Sequence, residues 1–204
     1  MMPAHYALSD AAIVMVAAWA ALPLWRQGKI LPAFAMACLG IAAAIGVVRF
    51  GAGLQAELAA LHAGGSQMLG LAALLALAAH ILRRKSDRND GAFAVAILAI
   101  SAGIFFLAKA LLAPLFLLAL TVGLCAAIWH AYRFGLSWLV PSGLMILLAN
   151  TLLIRRSPWL TEAAAWHIYH MLIALALILL ARAMHATPLD VREKGAYRAL
   201  HKNR

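Results

Sequence analysis

The chain has 204 residues, of which 66% are hydrophobic and only 12% are charged, and its mean hydropathy is +0.91. An average soluble domain carries about 25% charged residues, so this composition excludes a soluble globular protein and indicates several membrane-spanning helices. The formal charge of +10 is compatible with a nucleic-acid partner, but basic cytoplasmic connections of a membrane protein produce the same excess.

Seven apolar stretches have about the length of 20 residues that a helix needs to cross the hydrocarbon core. In chain order they cover residues 10–26, 30–50, 63–83, 91–110, 112–132, 136–154 and 163–184. Only Lys109 and Pro114 separate the fourth stretch from the fifth, and a single kinked span there would leave six crossings. A run of about 40 apolar residues is too long for one crossing. We therefore predict an all-α, seven-transmembrane helix bundle.

The distribution of Lys and Arg predicts how this bundle lies in the membrane. With the N-terminus outside, the outer side receives only four of the 17 basic residues, namely Arg49, Lys109, Arg155 and Arg156. The positive-inside rule then predicts an N-out, C-in protein, which requires an odd number of crossings. We expect residues 1–184 to form the transmembrane domain in a bacterial inner membrane and residues 185–204 to form a basic cytoplasmic tail against anionic headgroups. The expected partner is therefore the lipid bilayer and not nucleic acid.

Ionisable side chains collect at the predicted outer end of the bundle. Charged groups in a membrane are costly, so their positions mark function. The group consists of Asp10, Arg49, Glu57, His62, Glu162, His167 and His170. We therefore expect any chemistry at the outer interface.

His167 and His170 stand near the start of the last span, in the segment AWHIYHM. Residues three apart on a helix lie about 60° apart around its axis, so both side chains can face the neighbouring spans. Zinc needs at least one more ligand and an open position for water, and we expect His62 to supply that ligand. The expected carboxylate ligand or base is Glu57, Glu162 or Asp10. The alternative is an aromatic belt at the headgroup level, with neutral imidazoles bonded to backbone or lipid.

Arg49 ends the second span beside Phe50, close in depth to two carboxylates. It is expected to pair with Glu57 or Glu162, or to hold an anionic headgroup or lipid substrate.

The span count and the segment WHIYHM, followed by a long apolar helix, resemble the superfamily of seven-span membrane hydrolases that includes alkaline ceramidases and the progestin and adipoQ receptors. The resemblance implies a zinc ion held by two histidines at the start of the last span and a third at the end of an early span. It also implies a serine and an aspartate nearby, and hydrolysis of a lipid amide.

The sequence departs from that pattern at three points. The paired histidines of the family are usually four apart, which places Trp166 where the first would be and leaves His170 as the match. Arg49 stands where the third ligand is expected, and an arginine cannot ligate zinc because it stays protonated. No aspartate lies inside a predicted span. Either the metal site is rebuilt with His62 and His167, or the chain keeps the fold without the chemistry.

Three functions remain open at this stage. The first is a zinc-dependent hydrolase of lipid amides or esters at the outer leaflet, with Glu57 or Glu162 moving protons. The second is a haem or quinone protein whose axial histidines come from different spans. The third is a non-catalytic membrane protein, either a subunit that binds lipid or a partner protein, or a sensor.

Overall fold

A computed structural model of the chain describes residues 4–83, 86–155 and 157–186. These residues form seven helices, and none of them lies in a β-strand. The helices are α1 (Tyr6–Arg26), α2 (Ile30–Gly51), α3 (Ala59–Arg83), α4 (Asp90–Leu107), α5 (Leu112–Phe134), α6 (Leu139–Ala149, continued by a π-helical segment over Asn150–Ile154) and α7 (Glu162–Ala186). The predicted all-α class is confirmed, whereas residues 187–204 of the predicted tail lie outside the described residues.

Six of these helices are long and apolar enough to cross a membrane, so the chain is an integral membrane protein. They are α1 to α5 and α7. The apolar helix that includes α6 is shorter and runs over Leu139–Ile154 with its π-helical continuation. The count of seven crossings and the N-out orientation therefore stay predictions.

The fourth and fifth apolar stretches form two separate helices, as predicted. Helix α4 ends at Leu107, and Ala108 leaves the helical conformation with φ −146°. A short 3-10 turn over Lys109–Leu111 follows, and α5 begins at Leu112. Pro114 is tolerated in the first turn of α5 because the first backbone N–H groups of a helix have no partner within it.

The helices form a ring in which α1 packs on α2, α2 on α3, α3 on α5, α5 on α6, and α6 on α7, with α7 returning to α1. Helix α4 packs outside this ring, against α3 and α2. Helices α1 and α7 are parallel, since Ser9 contacts His167 near their starts and His185 contacts the carbonyl of Ala20 near their ends. Both helices begin at the same end of the bundle, the end that contains Ser9 and His167, which we call the site end. The two termini of the described chain therefore lie at opposite ends, as an odd number of passes requires.

Small residues allow the helix backbones to approach closely. A Cβ atom on Gly40 would lie 2.9 Å from the Cβ of Ala17, where α2 crosses α1. A Cβ atom on Gly143 would lie 2.9 Å from the Cγ of Leu180 and 3.0 Å from the carbonyl oxygen of Ala176, where α6 crosses α7. Such contacts are typical of membrane helices, whose association depends on tight packing. At the site end, the same closeness brings polar side chains of four helices together.

Candidate functional site

Asp10 is the buried carboxylate of the site end. Its side chain lies just over one turn into α1, because the helix begins at Tyr6 and not at residue 10, and the residue is only 1% exposed. The prediction that no aspartate lies inside a span is therefore wrong. The apolar stretch predicted for residues 10–26 has Asp10 as its first residue, whereas the helix begins four residues earlier and the neighbouring helices bury Ser9 and Asp10 together.

Asp10 meets two histidines from different helices. Its Oδ1 atom lies 3.2 Å from Nε2 of His170 on α7. On the opposite side is Gly46 of α2, where a Cβ atom would lie 2.7 Å from Cγ of Asp10 and 2.9 Å from Nε2 of His62. Both histidines are buried, at 8% exposure for His62 and 7% for His170. The structure therefore brings Asp10, His62 and His170 together against the bare backbone of Gly46.

The carboxylate of Asp10 is not satisfied by aligned hydrogen bonds. Its contact with Nε2 of His170 has the distance of an ion pair but not the angles of a hydrogen bond, and neither oxygen has a hydrogen-bond partner among the described residues. Buried charged groups are normally paired and hydrogen-bonded, because leaving water is costly. This carboxyl group is therefore poised to take up a proton or a cation.

The second nitrogen of His170 fixes the tautomer of that ring. Its Nδ1 atom lies 2.7 Å from the carbonyl oxygen of Trp166 in the preceding turn. A carbonyl oxygen can only accept, so Nδ1 of His170 carries a hydrogen and donates it. In the neutral ring Nε2 then has a free lone pair, and this lone pair lies on the side of Asp10.

The second nitrogen of His62 has the opposite role. Its Nδ1 atom lies 3.2 Å from Nη1 of Arg49. A guanidinium group is always protonated and only donates, so Nδ1 of His62 accepts. In the neutral ring the hydrogen is then on Nε2, the nitrogen that adjoins Gly46. The Nε atom of Arg49 also donates to the carbonyl of Gln55 at 2.9 Å, and the guanidinium lies 4.9 Å from the ring centre of Phe50.

These groups lie side by side across four helices: Arg49 contacts His62, Gly46 adjoins both His62 and Asp10, and Asp10 contacts His170, whose other nitrogen meets the carbonyl of Trp166. A proton on Oδ1 of Asp10 would stand opposite the lone pair of His170. With that proton on Nε2 of His170 instead, the pair becomes an ion pair of the same net charge. The geometry therefore allows the Asp10–His170 pair to hold one proton on either residue, and polar groups coupled in this way strengthen one another at low local dielectric.

His167 does not belong to this group. Its Nδ1 atom lies 3.2 Å from Oγ of Ser9, which itself donates to the carbonyl of Tyr6 at 3.1 Å. Its ring lies 5.1 Å from that of His5 and 5.5 Å from that of Tyr6, measured between centres. The spacing of three does place His167 and His170 on the side of α7 that faces α1, as predicted, but they meet different residues there.

The ring of Trp166 packs against the aromatic and histidine rings of the site, a position that the sequence did not predict. Its ring centre lies 4.3 Å from that of His170, 5.1 Å from that of Phe50, 5.2 Å from that of Tyr6 and 6.2 Å from that of His62. The only signal in the sequence is its position one turn before His170. The rings come from α1, α2, α3 and α7, so they join the same helices as the polar groups.

The two glutamates predicted as catalytic groups lie elsewhere at the site end. Glu57 and Glu162 are exposed, and neither forms a hydrogen bond or an ion pair within the described part of the chain. The expected ion pair of Arg49 with one of them is not formed, because Arg49 is held by Gln55 and His62. Catalysis by these glutamates and headgroup binding by Arg49 stay predictions.

The residues of the site do not fit the predicted zinc ion. Across residues 4–83, 86–155 and 157–186, no group of three or more His, Cys, Asp or Glu side chains is arranged to hold a metal. His167 contacts Ser9 instead of the common centre, and His62 has a hydrogen on the nitrogen that would have to ligate. Of the two histidines beside Asp10 and Gly46, His170 has the free lone pair that a metal requires and His62 does not. The predicted set of His62, His167 and His170 is therefore not assembled.

Comparisons of the chain with protein-family models, with characterised proteins and with solved structures found no match. The likeness to the seven-span hydrolases, drawn from the span count and the segment WHIYHM, stays a prediction. The function is therefore inferred from the donors, acceptors and burial at the site end.

Proposed function

We propose that this integral membrane protein binds and releases a proton at the Asp10–His170 pair and acts as a non-catalytic, proton-responsive sensor or subunit. One observation carries the proposal: Asp10 is 1% exposed, its oxygens have no aligned partner, and one of them lies 3.2 Å from Nε2 of His170. Ionisable residues inside membrane bundles are typical of proton relays and ion pathways, because their burial is otherwise costly.

The net charge of the pair depends on how many protons it holds. With one proton the pair is neutral overall. A second proton leaves a cationic His170 beside a neutral Asp10, and loss of the first leaves a carboxylate against the lone pair of Nε2. Either change alters the electrostatic free energy between α1 and α7, which are the helices that close the ring.

Several charged or titratable groups surround the pair. Arg49 of α2 acts through His62 of α3, His167 of α7 lies one turn away, and Arg155 follows α6. Because Arg49 and Arg155 are cations and the pair is buried, the doubly protonated, cationic pair is the costliest of the three states. The cluster is therefore set to respond when the proton supply at the site end changes.

Fluorescence of Trp166 tests the proposal, since its ring lies 4.3 Å from that of His170 and a protonated imidazole quenches a neighbouring indole. The chain has 6 Trp residues, so the Trp166 component is the difference between wild type and Trp166→Phe. We expect this component to titrate between about pH 4 and 9, and the midpoint to shift in Asp10→Asn. A Trp166 component that does not change with pH would contradict the proposal.

A hydrolase is the second candidate: Oγ of Ser9 lies 3.2 Å from Nδ1 of His167, and rotation of the hydroxyl hydrogen of Ser9 away from the carbonyl of Tyr6 would pair a nucleophile with its base. Such an enzyme would act on lipid amides or esters. Labelling of membranes with a fluorophosphonate probe tests it, with Ser9→Ala as the control. Labelling that disappears in Ser9→Ala would establish a nucleophilic serine and overturn the non-catalytic class. Haem or quinone binding stays a prediction.

A further inference from the structure

Arg49 occupies the position that decides what the site can bind. A histidine that ligates a metal uses the lone pair of one nitrogen and donates the hydrogen of the other to an acceptor. His170 meets this requirement, since its Nδ1 donates to the carbonyl of Trp166. His62 does not, because the group at its Nδ1 is the guanidinium of Arg49, a donor.

We propose that Arg49 is the specificity-determining residue of this site: it holds His62 with its hydrogen on Nε2, so that the site takes a proton and rejects a divalent metal ion. The inference rests on the proposed function, since it states what the same site selects. Without Arg49, a carboxylate oxygen of Asp10 and Nε2 of His62 and His170 are the donor types that zinc prefers.

Arg49 is held in this position by contacts on two sides. Its Nε donates to the carbonyl of Gln55 at 2.9 Å, in the turn that follows α2. Its guanidinium lies over the ring of Phe50 at 4.9 Å. A side chain held in this way keeps its positive charge beside His62, where it repels an incoming divalent cation in addition to fixing the tautomer.

The key variant is Arg49→Gln, whose amide oxygen can accept a hydrogen from Nδ1 of His62 and so allow the other tautomer. Arg49→Lys is the matched control, because an ammonium group only donates and keeps the wild-type tautomer. Because Asp10, His62 and His170 would have to shift to surround a metal, we expect Arg49→Gln to bind added zinc at least about tenfold more tightly than wild type or Arg49→Lys, and not to carry it in stoichiometric amount through purification. The added substitution Asp10→Asn should remove this gain from Arg49→Gln and so locate the zinc at this site.

The 15N chemical shifts of His62 report which ring nitrogen carries the hydrogen. If Arg49 only supported the fold, its replacement would not change these shifts. Wild type and Arg49→Lys should show a hydrogen on Nε2, and Arg49→Gln a hydrogen on Nδ1. The inference is overturned if wild-type His62 has its hydrogen on Nδ1, if folded Arg49→Gln binds no zinc, or if Arg49→Lys gains as much zinc as Arg49→Gln.

The outcomes also separate this inference from the proposed function. If the fluorescence of Trp166 does not change with pH and zinc binding increases in Arg49→Gln alone, the proton-responsive function is refuted and the role of Arg49 is supported. If the fluorescence of Trp166 changes with pH and no variant binds zinc, the proton-responsive function is supported and the role of Arg49 is refuted. Stoichiometric zinc in wild type overturns both.

Discussion

Gly46→Ala is the substitution for which the structure gives the sharpest expectation. The new Cβ atom would lie 2.7 Å from Cγ of Asp10 and 2.9 Å from Nε2 of His62, so the carboxyl group has to retreat by roughly 0.7 Å or more to reach ordinary contact. Overpacking costs about 1–3 kcal/mol, disturbed buried polar contacts cost about as much, and loss of a helical glycine returns about 1 kcal/mol. The net loss of unfolding free energy is therefore about 1–5 kcal/mol.

Thermal unfolding in detergent measures this loss, which corresponds to a Tm lower by roughly 2–20 °C. The matched control is Gly103→Ala on α4, where no atom lies within 4 Å of the added Cβ, and its Tm should stay or rise. In an Asp10→Ala background the main obstacle is gone, so Gly46→Ala should cost at least about 1 kcal/mol less there. If the two substitutions add within about 0.5 kcal/mol, Gly46 does not press on Asp10 and the described geometry of the site is refuted.

Three further predictions concern other parts of the bundle. Burial lowers the pKa of Lys29 from its ordinary value of 10.5, so just below that pH the unfolded chain binds more protons than the folded chain. The stability of wild type relative to Lys29→Met, measured by thermal unfolding, should therefore rise with pH through this window, and a fall would contradict the prediction. Asn150→Leu removes a 2.8 Å hydrogen bond to the carbonyl of Tyr169 and should cost about 1 kcal/mol of unfolding free energy, which an unchanged Tm would disprove. In intact cells, an impermeant maleimide should label Glu57→Cys and not Arg88→Cys if the site end faces outwards, and the reverse pattern would reject the N-out orientation.

The helices could be predicted because an apolar stretch of sufficient length has few other ways to satisfy its backbone in lipid. Their first turns could not. Helix α1 begins at Tyr6 and α3 at Ala59, earlier than the apolar stretches at residues 10 and 63. The added turns carry Ser9 and His62, and the earlier start of α1 places Asp10 inside the helix. All three residues are polar and yet buried by neighbouring helices. Hydropathy describes each side chain alone, so it cannot show which polar residues a neighbouring helix buries.

The depth of the polar residues could also be predicted, but not their partners. Glu57, His62 and Glu162 were placed at one level of the bundle, and only His62 turns inwards. The difference depends on the rotation of each helix about its axis and on the close approach at Gly46, which sequence spacing does not determine. Arg49 was expected to pair with a carboxylate, whereas its hydrogen bond to His62 decides the tautomer of the site.

The closure of the ring by α1 and α7 also has a consequence for how the protein is made. Ser9 and His167, which mark that closure, are 158 residues apart in sequence, so α1 leaves the ribosome long before the helix that covers its polar face. Until α7 is inserted, Asp10 has no His170 beside it, and a lone carboxyl group is costly in lipid. We therefore expect α1 to reach its final depth only after α7 is inserted, and a chain truncated before α7 to be degraded faster than the full chain in cells.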